Sequence, residues 1–269
     1  MQPTVRQAIS SIHARYYEPI TLNGLAAEVF TSPFHFSRVF SKATGVTPGR
    51  YLTAVRLFEA KRLLLTTSLT VSDVVCSVGY SSVGTFTTRF TRAVGMTPSR
   101  YRDPEVRELV LAVAPHFQRL PALEAMREAR IACGAGRGGA SITGRILFPV
   151  GTQPGNVLVG AFSERIPQCA PAAYTGMSGV RSTDYALRNL PAGRWTVIAV
   201  AQHPAHGTSP AGLTIGFADA RATAPGVEQT PATIRMRPLQ PTDPPIAITL
   251  ASRAVRPATG GVLALPVAA

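Results

Sequence analysis

Cysteine is scarce in this 269-residue chain: Cys76, Cys133 and Cys169 are odd in number and far apart. Such spacing excludes the dense disulfide frameworks of small secreted domains, and no CxxC pair or His/Cys cluster offers metal-ligand spacing. Acidic residues are few, 14 against 27 basic ones, which leaves a net charge of +13. Long apolar runs are missing too, and the N-terminus opens polar and passes straight into an amphipathic helix. We therefore expect no membrane span, no leader, no metal or other cofactor, and a reduced, cytoplasmic setting. The glycine-rich GAGRGG (134–139) lacks the GK[ST] ending of a phosphate loop, and GMSG around Ser178 lacks the spacing of a hydrolase elbow.

What the chain does have is a repeat. SPFHFSRVFSKATGVTPGRYL (32–52) lies over SVGTFTTRFTRAVGMTPSRYR (82–102) without a gap, with nine of 21 positions identical. In the first copy Phe36, Val39, Phe40 and Ala43 form one apolar stripe at helical spacing, while Phe34, Arg38 and Ser41 point the other way and Ser37 and Lys42 flank them. Gly45 supplies a left-handed helix end, Thr47 an N-cap and Pro48 a first helical position, with Arg50 in the next turn. The second copy repeats this with Phe86, Phe90 and Ala93, then Gly95, Thr97, Pro98 and Arg100. Each copy follows a shorter helix: one from about Leu22 to Val29 capped by Thr21, and one with Val71, Val74, Val75 and Val78 inward, opened by Thr70 and Asp73 and ended by Gly79. Helix, tight turn and second helix is the arrangement whose second helix enters a major groove. Two such units in a basic chain point to a periodic anionic partner, duplex DNA. Tyr51 to Thr67 reads as one amphipathic helix holding the units at a fixed separation.

These motifs, with Arg56…Ala60…Leu63-Leu64 and Val78-Gly79-Tyr80-Ser81, resemble the DNA-binding domain of the AraC/XylS family of bacterial transcription regulators over residues 3–103. The resemblance implies a two-lobed, seven-helix domain whose two recognition helices enter adjacent major-groove segments. Phe34, Ser37 and Arg38 fall on its base-reading surface, with Arg38 suited to a bidentate guanine contact, and His35 on a backbone or phosphate contact. Ser41 and Lys42 complete the first surface, and Gly84, Thr85, Thr88, Arg89 and Arg92 make up the second. There Thr88 stands where Arg38 stood, Arg89 or Arg92 reaches phosphate, and weaker sequence reading is expected. Arg50 and Arg100 are either phosphate contacts or plain exposed charges. RNA polymerase and a small-molecule effector are further partners that the resemblance allows. A DNA-tethered enzyme of the repair-methyltransferase kind needs a Pro-Cys-His-Arg acceptor, which neither Cys133 nor Cys169 has.

The fold class expected is multidomain: an all-α tandem helix-turn-helix domain (1–103), a helical linker and Gly-rich joint (104–139), then an all-β antiparallel sandwich (140–269). Charge divides as 12 basic minus 5 acidic (+7) over 1–103, and 15 minus 9 (+6) beyond. In the linker Val106, Leu109, Val110 and Val113 have helical spacing, and Cys76 sits on the apolar side of its helix. Strands are expected near 142–148, 157–162, 184–188, 195–202, 213–218, 233–237, 246–251 and 262–267. ITGRI, PGNVLVGAF and STDYALRNLPAGRWTVIAV resemble the transthyretin-like sandwich of carboxypeptidase regulatory domains, which implies a fold and no activity. His203 and His206 are candidate metal ligands with Asp184 or Asp219, but a solvated loop is the plainer reading, and Trp195 is expected in the core. The sandwich is thus a separable sensing or protein-contact module, or a purely structural or dimerising one.

Overall fold

The computed structural model describes residues 2–132, 139–149, 152, 155–178, 182–204, 212–225 and 230–251. The chain opens with α1 (Pro3–Arg15), α2 (Leu22–Glu28), α3 (Pro33–Thr44), α4 (Pro48–Thr66), α5 (Val71–Ser77) and α6 (Val83–Val94). A 3₁₀ turn (Arg100–Arg102) and α7 (Pro104–Glu108) lead to β1 (Val110–Ala114), β2 (Phe117–Arg119) and α8 (Leu123–Ala132). The β-rich remainder comprises β3 (Ala140–Leu147), β4 (Asn156–Phe162), β5 (Ala173–Ser178), β6 (Ser182–Leu190), β7 (Gly193–His203), β8 (Gly212–Ala222), β9 (Ala232–Arg235), β10 (Arg237–Pro238) and β11 (Ile246–Thr249). Among the described residues no helix is long and apolar enough to cross a membrane.

The helical region is built on α4, of whose nineteen residues twelve are buried. Tyr51, Leu52 and Val55 meet Ile9, Ile12, Leu25, Phe36 and Phe40 in one core. A turn or two further on, Leu57, Phe58, Leu64 and Leu65 meet Val74, Val75, Phe86, Phe90 and Tyr101 in a second. One helix therefore serves two lobes, which requires apolar side chains nearly all round it.

The strands form three sheets, ordered β11-β1-β2, β10-β8-β7-β4-β5 and β6-β3-β9. Both faces of the five-stranded sheet are covered. Val157, Val159, Val197 and Ala199 pack with Ile142, Ile146, Leu187 and Ile234 of the sheet built on β3. Leu158, Ile198, Val200 and Ile215 pack on the other side with Leu111, Val113, Ile246 and Ile248. Burial on both faces explains why β4 and β7 read as continuous apolar runs instead of alternating ones. One departure from the antiparallel expectation is β9, which pairs parallel to β3 through Gly144↔Ala232 to Leu147↔Arg235. The β6–β7 turn carries the chain between sheets, with Asn189 in the left-handed region at φ 62°.

The expected helical linker needs correction in its first part, while its later part is helical as α8 (Leu123–Ala132). Helix stops at Glu108, and Val110–Ala114 is a fully buried strand paired antiparallel to β11. Its odd and even residues face different layers: Leu111 and Val113 toward the five-stranded sheet, Val110, Ala112 and Ala114 toward the second helical lobe. A run as apolar as LVLAVA satisfies helical spacing and a two-faced strand equally, so periodicity alone does not separate them. Ala247 and Ala251, at the far end of the described chain, belong to the same lobe's core. A boundary at 139/140 thus leaves part of the helical core on its far side. Cys76, expected inside, is exposed. Cys133, most of the Gly-rich joint, His206 and the last expected strand (262–267) lie outside the described residues.

Candidate nucleic-acid interface

Each helix-turn-helix is held by local hydrogen bonds that the sequence encodes. The Thr21 hydroxyl accepts from Gly24 N (3.0 Å) to start α2, and Ser32 and Ser82 accept from His35 N and Thr85 N to start α3 and α6. The opening of α5 is a full capping box, in which Asp73 N donates to Thr70 Oγ1 (3.2 Å) and Thr70 N to Asp73 Oδ2 (3.0 Å). Both tight turns use the same pair of bonds: Phe30 N to Ala27 O and Thr31 N to Ala26 O in the first, Gly79 N to Cys76 O and Tyr80 N to Val75 O in the second. The left-handed residue at that point is Gly79 (φ 78°) in one unit and Phe30 (φ 54°) in the other. Gly79 has no alternative, since a Cβ there would lie 2.6 Å from the Tyr17 carbonyl oxygen.

With Phe36, Phe40, Phe86 and Phe90 buried, the outer faces of α3 and α6 are open. Phe34 is 80 % exposed, and His35, Arg38, Lys42, Arg50, Gly84, Thr85, Thr88, Arg89 and Arg92 are all exposed. Ser37, Ser41 and Arg100 are half-buried. Neither α3 nor α6 contains an acidic residue. Among the described residues Arg38, Lys42, Arg50, Arg89 and Arg92 form no ion pair, whereas Arg15, Arg62, Arg145 and Arg237 each pair with a carboxylate. Arg56, part of the family-like pattern on α4, is structural: it donates to Tyr16 O and Glu18 O (2.7 Å each) and lies 5.6 Å from the Tyr80 ring centroid.

Two features escaped the sequence reading. Phe30, four positions before Phe34, is 96 % exposed and left-handed, and no periodicity marks it. It emerges only when the two turns are compared at their glycine position. The second feature is the β4–β5 loop (163–172), which reaches back to the helices. Ile166 is buried in the first lobe's core, and a side chain on Gly45 would overlap Arg165. Lys61 of α4 is fully buried and donates to Gln168 O (3.0 Å), Gln168 Oε1 (3.0 Å) and Ala247 O (2.6 Å). Burial pushes its amine down to about 7, with the nearby Cys169 acting in the opposite direction.

Elsewhere the candidate chemistry disperses. His203 Nε2 lies 2.6 Å from Thr214 Oγ1, Asp184 pairs with Arg145, and Asp219 lies 3.4 Å from Thr196 Oγ1. Among the described residues no cluster of three or more His, Cys, Asp or Glu side chains is placed to hold a metal. Trp195 is half-buried at the margin of the β core, its indole N–H donating to Pro191 O.

Residues 25–104 match the helix-turn-helix domain family, and together with their relatives they define an AraC-type domain. Among those relatives, the uncharacterized HTH-type transcriptional regulator YobQ of Bacillus subtilis is 35% identical over 96 residues, 36% of this chain and 40% of that protein. The bifunctional transcriptional activator/DNA repair enzyme AdaA of Bacillus subtilis is 35% identical over 92 residues, 34% of this chain and 44% of that one. The C-terminal domain of AraT, a response regulator from Geobacillus stearothermophilus, is 32% identical with a TM-score of 0.37, covering 38% of this chain and 84% of the other. The chain thus spans less than half the length of these two Bacillus relatives.

Proposed function

We propose that this protein is a DNA-binding transcription regulator. The observation that carries the reading is the pair of carboxylate-free helices α3 and α6, each set by a capped tight turn and each presenting unpaired cations outward. Arg38 is assigned to a guanine edge, with Phe34 and Ser37 beside it and Thr88 as the poorer counterpart on α6. His35, Ser41, Lys42, Arg50, Thr85, Arg89, Arg92 and Arg100 are assigned to the backbone, and Gly84 lets phosphate approach closely. The β-rich region, two of whose sheets share one core, reads as a sandwich with a sensing or protein-contact role and no catalysis, in a cytoplasmic protein. Its docking onto both helical lobes supports regulation through shape over a loosely tethered module.

The test is fluorescence anisotropy of the full chain on labelled duplex DNA across a salt series. The four unpaired cations assigned to phosphate, Lys42, Arg50, Arg89 and Arg92, at about 0.9 each predict a slope of log K on log salt between about −3 and −4. A salt-insensitive affinity, or none for any duplex, overturns the reading.

A further inference from the structure

The β4–β5 loop does not seal the space between the two helical units. It leaves a cavity of about 900 Å³, with a smaller one of about 340 Å³ adjoining it on the side of the first unit. The larger volume falls in the range of small-molecule sites. Phe162, Met96, Pro171 and Trp195 contribute apolar surface, and Arg50, Arg89 and Arg92 reach in from α4 and α6. Among the described residues Glu164 is the lone carboxylate in the lining, so these carry three positive charges against one negative. Among the described residues none of these three arginines makes an ion pair. An apolar body with one anionic end meets both halves of such a wall: it buries against the rings and offers a charge-assisted hydrogen-bond acceptor to guanidinium groups.

We propose that this cavity binds a small organic anion, a carboxylate or sulfonate on an aryl or alkyl body. Resting on the proposed DNA-binding function, a corollary follows. Arg50, Arg89 and Arg92 are the side chains assigned to phosphate, so the anion and duplex DNA compete for them and each weakens the other's binding by the same factor.

Trp195 is the chain's single tryptophan and lines the cavity, which gives a local reporter. Full-length protein is titrated without DNA with anilinonaphthalene sulfonate, and energy transfer from the indole to the probe is recorded. The expected result is saturable transfer, displaced by decanoate and not by decanol. The double variant Arg89→Gln/Arg92→Gln, checked by circular dichroism for intact helices, should loosen the probe by about tenfold. Glu164→Gln should tighten it by about twofold to fivefold, because it removes the opposing charge. Transfer that does not saturate, or affinities unchanged in both variants, overturns the assignment. Adding unlabelled duplex separates the two claims. A chain that binds duplex but shows no saturable transfer loses the cavity site alone. Saturable transfer in a chain that binds no duplex loses the DNA reading and keeps the site.

Discussion

The two helix-turn-helix units share a plan and differ in how each is completed. In the first, the core of α1, α2, α3 and the start of α4 is closed by Ile166, one side chain delivered by a loop more than a hundred residues away. In the second, the core is closed by a strand pair, with Val110, Ala112 and Ala114 on β1 and Ala247 on β11. The turns differ as well: Gly79 takes the left-handed residue without cost, while Phe30 takes it with a side chain in solvent. So do the outer faces, with Phe34 and Arg38 on one and Gly84 and Thr88 on the other. Repetition carries the scaffold, and departures from it assign each unit its neighbours and give it a different outer face.

Removing β11 from the strand pair should have the largest effect. A chain ending at residue 244 lacks β11 and leaves one edge of β1 unpaired, and it takes Ala247 and Ala251 out of the second unit's core and Ile246 and Ile248 out of the layer against the five-stranded sheet. The expected result in urea is loss of the single cooperative transition and of operator affinity. By contrast, Ile166→Ala should cost about 2–4 kcal/mol and keep the transition cooperative. If the truncated chain unfolds as sharply as the full one, the β region does not complete the second unit.

The turn position offers a contrast of sign. Gly79→Ala should destabilise by about 2–4 kcal/mol, from left-handed strain and the clash with the Tyr17 carbonyl. Phe30→Gly, at the equivalent point of the first turn, should stabilise by up to about 1 kcal/mol, the relief of strain being offset in part by glycine's backbone entropy. Chemical denaturation of both variants checks the pair, and shifts of the same sign would show that the turns are not equivalent.

Specificity should be unequal between the units. Arg38→Ala should cost about 1–3 kcal/mol and relax base preference in one half of the operator, with Thr88→Ala costing less in the other. Equal losses of selectivity, measured on half-site-substituted duplexes, would make the two faces equivalent readers.

A smaller effect tests the tie that spans the units. Between the folded value near 7 and the ordinary value at 10.5, loss of a proton by the buried Lys61 amine, which leaves two N–H donors for its three acceptors, is expected in the folded chain and not in the unfolded one. The unfolded state then binds the extra proton, so stability should rise with pH across that window. Lys61→Met should flatten the rise relative to wild type when urea midpoints are compared from pH 7 upward. Parallel curves would mean that the amine keeps its proton throughout.

Much of the helical region was legible before any fold was considered. Thr21, Thr47, Thr70 and Asp73 cap the helices they were expected to cap, and Gly45, Gly79 and Gly95 end helices in the left-handed region. The strands from Ala140 to Ala222 likewise fall close to their expected places, apart from Ala173–Ser178. What failed to show was longer in range. LVLAVA carried no mark of its partner, Cys76 gave no hint that its helix would leave it outside, and nothing around Lys61 marked it for burial.

From its sequence alone, then, this protein determined two repeated helix-turn-helix units and the open cationic faces they present. The signals involved act within a few residues: a hydroxyl on an amide three positions away, a glycine where φ is positive, an apolar stripe at helical period. Only the tertiary structure decided that β11 would complete the second unit, that Ile166 would close the first, and that Lys61 would be buried between them. Those contacts join residues as far apart as 186 positions, and their stability comes from apolar area and acceptors that exist only once distant layers have met.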